Sequence, residues 1–177
     1  GVTGVQTCAL PISTTTANNV EFKASKSSYR QGEQISISMI FTNRDKRPCK
    51  MSSASEGAVN IISGSRDGVT LEPSFSYATY IDGFRSFILA NLTTVQPGTS
   101  ISLLLHSKHR NNSGGEDLVT SLLDETDEAK LISWPVDKPG QYRVSARYAL
   151  SALADMPADL CVVSPELTAN FTILPAR

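Results

Sequence analysis

Ile35-Ser36-Ile37-Ser38-Met39-Ile40-Phe41 alternates apolar and polar side chains, so that Ile35, Ile37, Met39 and Phe41 share one face. Successive side chains of a strand point to opposite faces, and the stretch reads as a strand with one face in a core and the other mostly wet. The same grammar runs outward from it. Val20-Glu21-Phe22-Lys23-Ala24 makes a preceding strand, with Ser28 to Glu33 as a turn between the two. On the other side, Asn43 to Pro48 is a charged turn. Pro48 cannot donate to a ladder, so Cys49 to Ser52 is at most a short edge segment. Val59 to Ser63 and Val69 to Leu71 flank a turn in which Asp67-Gly68 supplies the positive φ that hairpins need. Phe75, Tyr77 and Tyr80 fall in a stretch that the pattern leaves unassigned, and Phe84 to Leu92 reads as a strand. After the Pro97-Gly98 turn, Ile101, Leu103 and Leu105 give another inward face. The period then changes: Leu118, Val119, Leu122 and Leu123 recur at helical spacing after Gly114-Gly115, which predicts one short helix over Glu116 to Asp124. Tyr142, Val144, Ala146 and Tyr148, then Leu167, Ala169, Phe171 and Ile173, return to period two. The total is about seven to nine strands with one helical insertion, an all-β, antiparallel two-sheet sandwich.

Composition agrees with one packed unit. The 177 residues are 40% hydrophobic and 19% charged, apolar enough to fill a core. Sixteen Lys and Arg against seventeen Asp and Glu leave a net charge of −1, so neither a basic field for nucleic acid nor an acidic tail is present. No apolar run approaches the ~20 residues of a membrane span, which argues against membrane insertion. Gly1 to Ile12, GVTGVQTCALPI, follows none of this patterning and resembles a translated sequencing-adapter scar. With the polar Thr14 to Asn19 it is set aside as an artefactual and linker segment, residues 1–19, leaving residues 20–177 as the sandwich domain.

Tyr29-Arg30-Gln31-Gly32-Glu33-Gln34-Ile35, with Asn43 after the following strand, resembles the Y-x-x-G-E-x-I … N opening of bacterial and fungal immunoglobulin-like modules. Ser65 to Val69, Val95 to Ser100 and Lys138 to Val144 fit the same mould in order. The resemblance is closest to the domain preceding the catalytic domain of deuterolysin-type and peptidyl-Lys metallopeptidases, and to the intracellular proteinase inhibitor family. It implies an immunoglobulin-like sandwich. The motifs are turn and strand punctuation and carry no catalytic residue, and the His-Glu-x-x-His of those peptidases is absent.

Few residues suggest chemistry. His106 and His109 are the only histidines, and at i and i+3 on a strand they face opposite ways. Asp124-Glu125-Thr126-Asp127-Glu128 gathers four carboxylates but lacks the spacing that curls oxygens around calcium, and reads as a solvated helix end. Gly114-Gly115 lacks the following Lys of a phosphate loop. Trp134 reads as core or rim packing, with an exposed platform for a sugar or peptide as the alternative. Asn91, Asn111 and Asn170 begin glycosylation sequons. Cys49 and Cys161 are a candidate disulfide closing more than a hundred residues, or else two separate buried thiols.

These readings lead to no catalytic site, metal or cofactor, and to a non-catalytic accessory or protein-interaction module of an exported protein. It would stand outside the cell, in the periplasm or at the cell surface, with a protein partner or a neighbouring domain. Its loops Ser53 to Gly57, Ser74 to Gly83 and His106 to Gly115 are the surfaces to present. A proteinase inhibitor using one of those loops is the alternative.

Overall fold

A computed structural model describes residues 16–17, 20–110, 114–150, 153–163 and 166–177. Residues 1–15, with Cys8 and the proposed scar, lie outside these. In chain order the elements are β1 (Thr16–Ala17), β2 (Val20–Ala24), β3 (Ser28–Arg30), β4 (Ser36–Thr42), β5 (Cys49–Ser52), β6 (Val59–Arg66), β7 (Val69–Thr70) and β8 (Ser74–Ala78). Then come α1 (Phe84–Ala90), β9 (Leu92–Val95), β10 (Ser100–His109), β11 (Glu116–Leu123), β12 (Ala129–Pro135), β13 (Gly140–Tyr148) and β14 (Leu167–Leu174). The fold is all-β, as its alternation predicts. One sheet runs β1-β2-β4-β10-β11-β12-β8, a second β3-β14-β13-β6-β7, and β5 pairs with β9 in a third.

Alternation places the core. Val20 and Phe22 of β2, Ile37, Met39 and Phe41 of β4, and Leu103 and Leu105 of β10 bury one face of the first sheet. Ile61 of β6, Tyr142, Val144 and Ala146 of β13, and Leu167, Ala169, Phe171 and Ile173 of β14 meet them from the second. Asp67 and Gly68, at φ 50° and 81°, make the two-residue hairpin turn between β6 and β7.

Five expectations are corrected. Glu116 to Leu123 is a strand, because both faces of β11 are covered along most of its length: Leu118 and Thr120 are buried on one side and Ser121 on the other. A strand covered on both sides loses its alternation and can imitate helical spacing. Phe84 to Ala90 is instead an α-helix, with Phe84 and Ile88 buried one turn apart. Its first turn is capped from a distance: Phe84 N–H donates to the Asp127 carbonyl at 3.1 Å, and Arg85 N–H to Asp127 Oδ1 at 2.8 Å. Ser28–Arg30 is a strand parallel to β14, where a turn was read, and Thr16–Ala17 of the supposed linker pairs with β2. Ser74–Ala78, nominated as loop, is an edge strand on β12.

The small β5–β9 sheet is tied to the rest in two ways. Cys49 and Cys161 form a disulfide, beside main-chain bonds from Lys50 N–H to the Asp159 carbonyl and from Cys161 N–H to the Lys50 carbonyl, both 2.8 Å. Tyr148 on β13 accepts the Ser52 N–H at 3.0 Å, and burial pushes its hydroxyl pKa up to about 12.

The disulfide spans 112 residues, so the Cys49→Ser/Cys161→Ser double variant is expected to lose about 3–5 kcal/mol in urea unfolding, through the freedom returned to the unfolded chain. Tyr148 gives a second expectation. An unfolded tyrosine ionises near pH 10 while the folded one keeps its proton to about pH 12, so the contribution is complete below pH 10 and lost as pH rises to about 12. Two pH units correspond to roughly 2–3 kcal/mol. Unfolding measured from pH 9 to 12 with Cys8 alkylated should fall more steeply in the wild type than in Tyr148→Phe.

Candidate functional site

β10 changes partner along its length. Ser100 to His106 pair with β4, whereas only Ser107 to His109 pair with β11, in the register Ser107↔Leu118, Lys108↔Asp117, His109↔Glu116. Continued, that register would oppose His106 to Val119 and Leu104 to Ser121, but the strands part there. The gap is a cavity of about 270 Å³ lined by Leu104, Leu105 and His106 on one side and Val119, Thr120 and Ser121 on the other.

Other segments close around it. Ser55 and Glu56 stand at one rim, Ala78 and Tyr80 at another, and Lys108 lies near the point where the strands rejoin. The Ser55–Gly57 turn is seated by Gly57 N–H donating to Ser121 Oγ at 3.1 Å. Gly57 needs to be glycine: its φ is +73°, and an added Cβ would lie 2.7 Å from Ile88 Cδ1. Tyr80 packs against Phe84 and Phe87, with ring centroids 4.8 and 4.9 Å away. Burial, helped by the charge of Glu56, raises its hydroxyl pKa. Leu104, 53% exposed, offers apolar surface at the mouth. All three segments nominated from sequence reach this cavity, through Ser55 and Glu56, Ala78 and Tyr80, and His106 and Lys108.

The histidines are not brought together. His106 Nδ1 lies 2.8 Å from Ser36 Oγ, while His109 Nδ1 lies 3.1 Å from Glu116 Oε1. Buried Ser107 donates to Glu116 Oε2 at 2.7 Å and accepts the Ile35 N–H at 2.8 Å. The carboxylate thus stands between hydroxyl and imidazole, whereas a nucleophilic triad needs the imidazole in the middle. Beside them Arg110 clamps Asp117 with Nε and Nη2, and this pairing raises the guanidinium pKa.

The acidic run is a turn between β11 and β12, not a helix end. Asp124 Oδ1 accepts the N–H groups of Thr126 and Glu128 at 2.9 and 2.8 Å, which lowers its carboxyl pKa. Asp127 is spent on capping α1. No three His, Cys, Asp or Glu side chains form a metal-holding group among the described residues. Trp134 is 5% exposed and packs in the core, so it offers no platform. Asn91 of the first sequon gives its side-chain amide to the Phe87 carbonyl at 2.8 Å, Asn170 lies within β14, and Asn111 is outside the described residues. No helix among the described residues is long and apolar enough to cross a membrane.

Sequence reasoning missed Leu104, Val119 and Leu131 as cavity walls. Leu104 carried a signal, because it is the apolar residue at an outward position between inward Leu103 and Leu105. No protein family matches the chain, and no curated protein sequence matches it.

Gly57→Ala should destabilise the protein by roughly 1–3 kcal/mol through its backbone alone, and further through the Ile88 collision. Gly68→Ala, at φ +81° with open space around it, isolates the backbone part. Urea unfolding of both variants should show the larger loss at Gly57.

Proposed function

We propose that the chain is an immunoglobulin-like sandwich serving as a non-catalytic interaction module of an exported protein, and that it holds a partner protein or neighbouring domain at the cavity between β10 and β11. The observation that carries the reading is convergence: three segments far apart in sequence meet at one open cavity with exposed Leu104 at its mouth.

The architecture supports the finer fold. The order β7-β6-β13-β14 follows the C′-C-F-G sheet of such domains, and β2-β4-β10 follows A-B-E. The β11–β12 hairpin is then an insertion that widens the second of these sheets. Tyr142 Oη donates to the Lys138 carbonyl at 2.8 Å, a tie of the kind these domains use where a strand begins. The Cys49–Cys161 bond suits an oxidising compartment, and so a place outside the cell, in the periplasm or at the cell surface.

A second reading, the proteinase inhibitor, rests on Ile81. This side chain is fully exposed at the tip of a turn closed by Gly83 N–H on the Tyr80 carbonyl at 3.1 Å.

One experiment separates the two: a photo-crosslinking amino acid placed in turn at Leu104, Ile81 and, as a control on the other sheet, exposed Val69, in cells expressing the native reading frame. An adduct with one discrete protein at Leu104 and none at Val69 is expected. A protease captured through Ile81 would favour the inhibitor. Equal labelling at all three positions, or none at Leu104, would overturn the module reading.

A further inference from the structure

The parting of β10 and β11 leaves main-chain groups aimed into the cavity. Ser107 N–H donates to the Ile35 carbonyl, on the β4 side, at 2.8 Å. Alternation along an antiparallel strand therefore turns the N–H and C=O of Leu104 toward β11. On β11 the Glu116 carbonyl accepts Val136 N–H at 2.8 Å, on the β12 side, and the same alternation turns the main chain of Ser121 toward β10. The ladder ends at Ser107↔Leu118, so it gives Leu104 and Ser121 no partner across the gap. Of the two walls, β10 is the open one, with Leu104 53% exposed and Ser121 only 3%. A strand edge with unused main-chain groups is a template for another strand.

The charges along this edge are ordered. Lys108 faces Asp117 in register, but Arg110 occupies that carboxylate, and among the described residues Lys108 makes no ion pair. Glu56 likewise makes none, its only bond being from Ser55 Oγ at 3.4 Å, and it lies at the Ser121 end through the seated Ser55–Gly57 turn. One unpaired cation thus stands where the strands rejoin, and one unpaired carboxylate at the far end. The lining between them includes apolar Leu104, Val119 and Leu131, with polar His106, Thr120 and Ser121 beside them. Lys108 and Leu104 are four residues apart on one face, about 13 Å in a strand.

We propose that the cavity is a strand-addition site for a short extended peptide segment of the partner, laid antiparallel to β10 against Leu104. Antiparallel pairing is the more stable kind. The segment runs from the Lys108 end to the Glu56 end, carrying an acidic residue first, an apolar residue two positions on and a basic residue two further, all on one face. The inference rests on the module reading and gives its partner a chemistry.

Titration of the ¹⁵N-labelled chain with Ac-Glu-Thr-Val-Thr-Lys-NH₂, Ac-Lys-Thr-Val-Thr-Glu-NH₂ and Ac-Gln-Thr-Val-Thr-Gln-NH₂ tests it. The first peptide should shift the Leu104 and His106 amides, slow hydrogen exchange at Leu104, and bind roughly tenfold more tightly than the other two. In the Glu56→Lys/Lys108→Glu variant, both changes being at unpaired side chains, the second peptide should become the tighter one. Three outcomes would overturn the proposal: no shift at Leu104 and His106 up to about 5 mM peptide, equal binding of all three peptides unaffected by the charge exchange, or the same shifts from free glutamate and lysine. Should Leu104 still cross-link to a partner protein in such a case, strand addition falls while the module reading stands.

Discussion

β10 must satisfy two neighbours at once. Its first seven residues pair with β4 and its last three with β11, so the ladder between β10 and β11 is open beside Leu104 and Ser121. The opening falls where the β11–β12 hairpin leaves the rest of the sheet. Because that hairpin carries β8 on its outer edge and holds α1 through Asp127, the position of nearly everything at this side of the molecule follows from where β10 and β11 part. The Ser107 hydroxyl fixes the point of rejoining, with Ile35 N–H on one side of it and the buried Glu116 carboxylate on the other.

Period two made the sandwich legible wherever one face was buried and the other wet. The β4, β13 and β14 stretches could be read almost residue by residue for that reason. The same rule failed at two places, in opposite directions. β11 is covered on both faces, so its apolar residues crowd into a pattern that helical spacing also fits. In Phe84–Ala90 the helical spacing of Phe84, Phe87 and Ile88 was present, but the strand-rich neighbourhood and the absence of a local capping side chain hid it. Its cap arrives from Asp127, more than forty residues on, and a contact of that range has no signature in a local window. The acidic run was misread for the same reason, since Asp124 is spent on its own turn and Asp127 on a distant helix.

The candidate site was legible as segments and illegible as a place. The three nominated stretches carry the polar and glycine-rich punctuation of presented chain, which is a local property. That they meet around one cavity depends on Gly57 accepting φ +73° beneath Ile88, on Tyr80 lying against Phe84 and Phe87, and on the ladder ending at Ser107↔Leu118. Each is a tertiary event. Cys49 and Cys161 show the same limit: the sequence supplied both thiols, and the approach of their Cα atoms to 4.9 Å is set by the bridge from Lys50 to the Asp159–Cys161 segment.

A hairpin added to the side of a sandwich extends a sheet at low cost only if its strands continue the existing ladder. Here they continue it for three residue pairs and then diverge, so the ladder provides no main-chain hydrogen bonds between Leu104 and Ser121. Sealing the gap with a bulky side chain would take those main-chain groups away from water without giving them a partner, and Ser121 is small and the turn above it runs through Gly57. The residues at the divergence keep the cavity open when larger ones would close it. Open main-chain groups beside the apolar side chains of Leu104, Val119 and Leu131, with one free cation and one free carboxylate at the ends among the described residues, constitute a surface whose best complement is another extended chain.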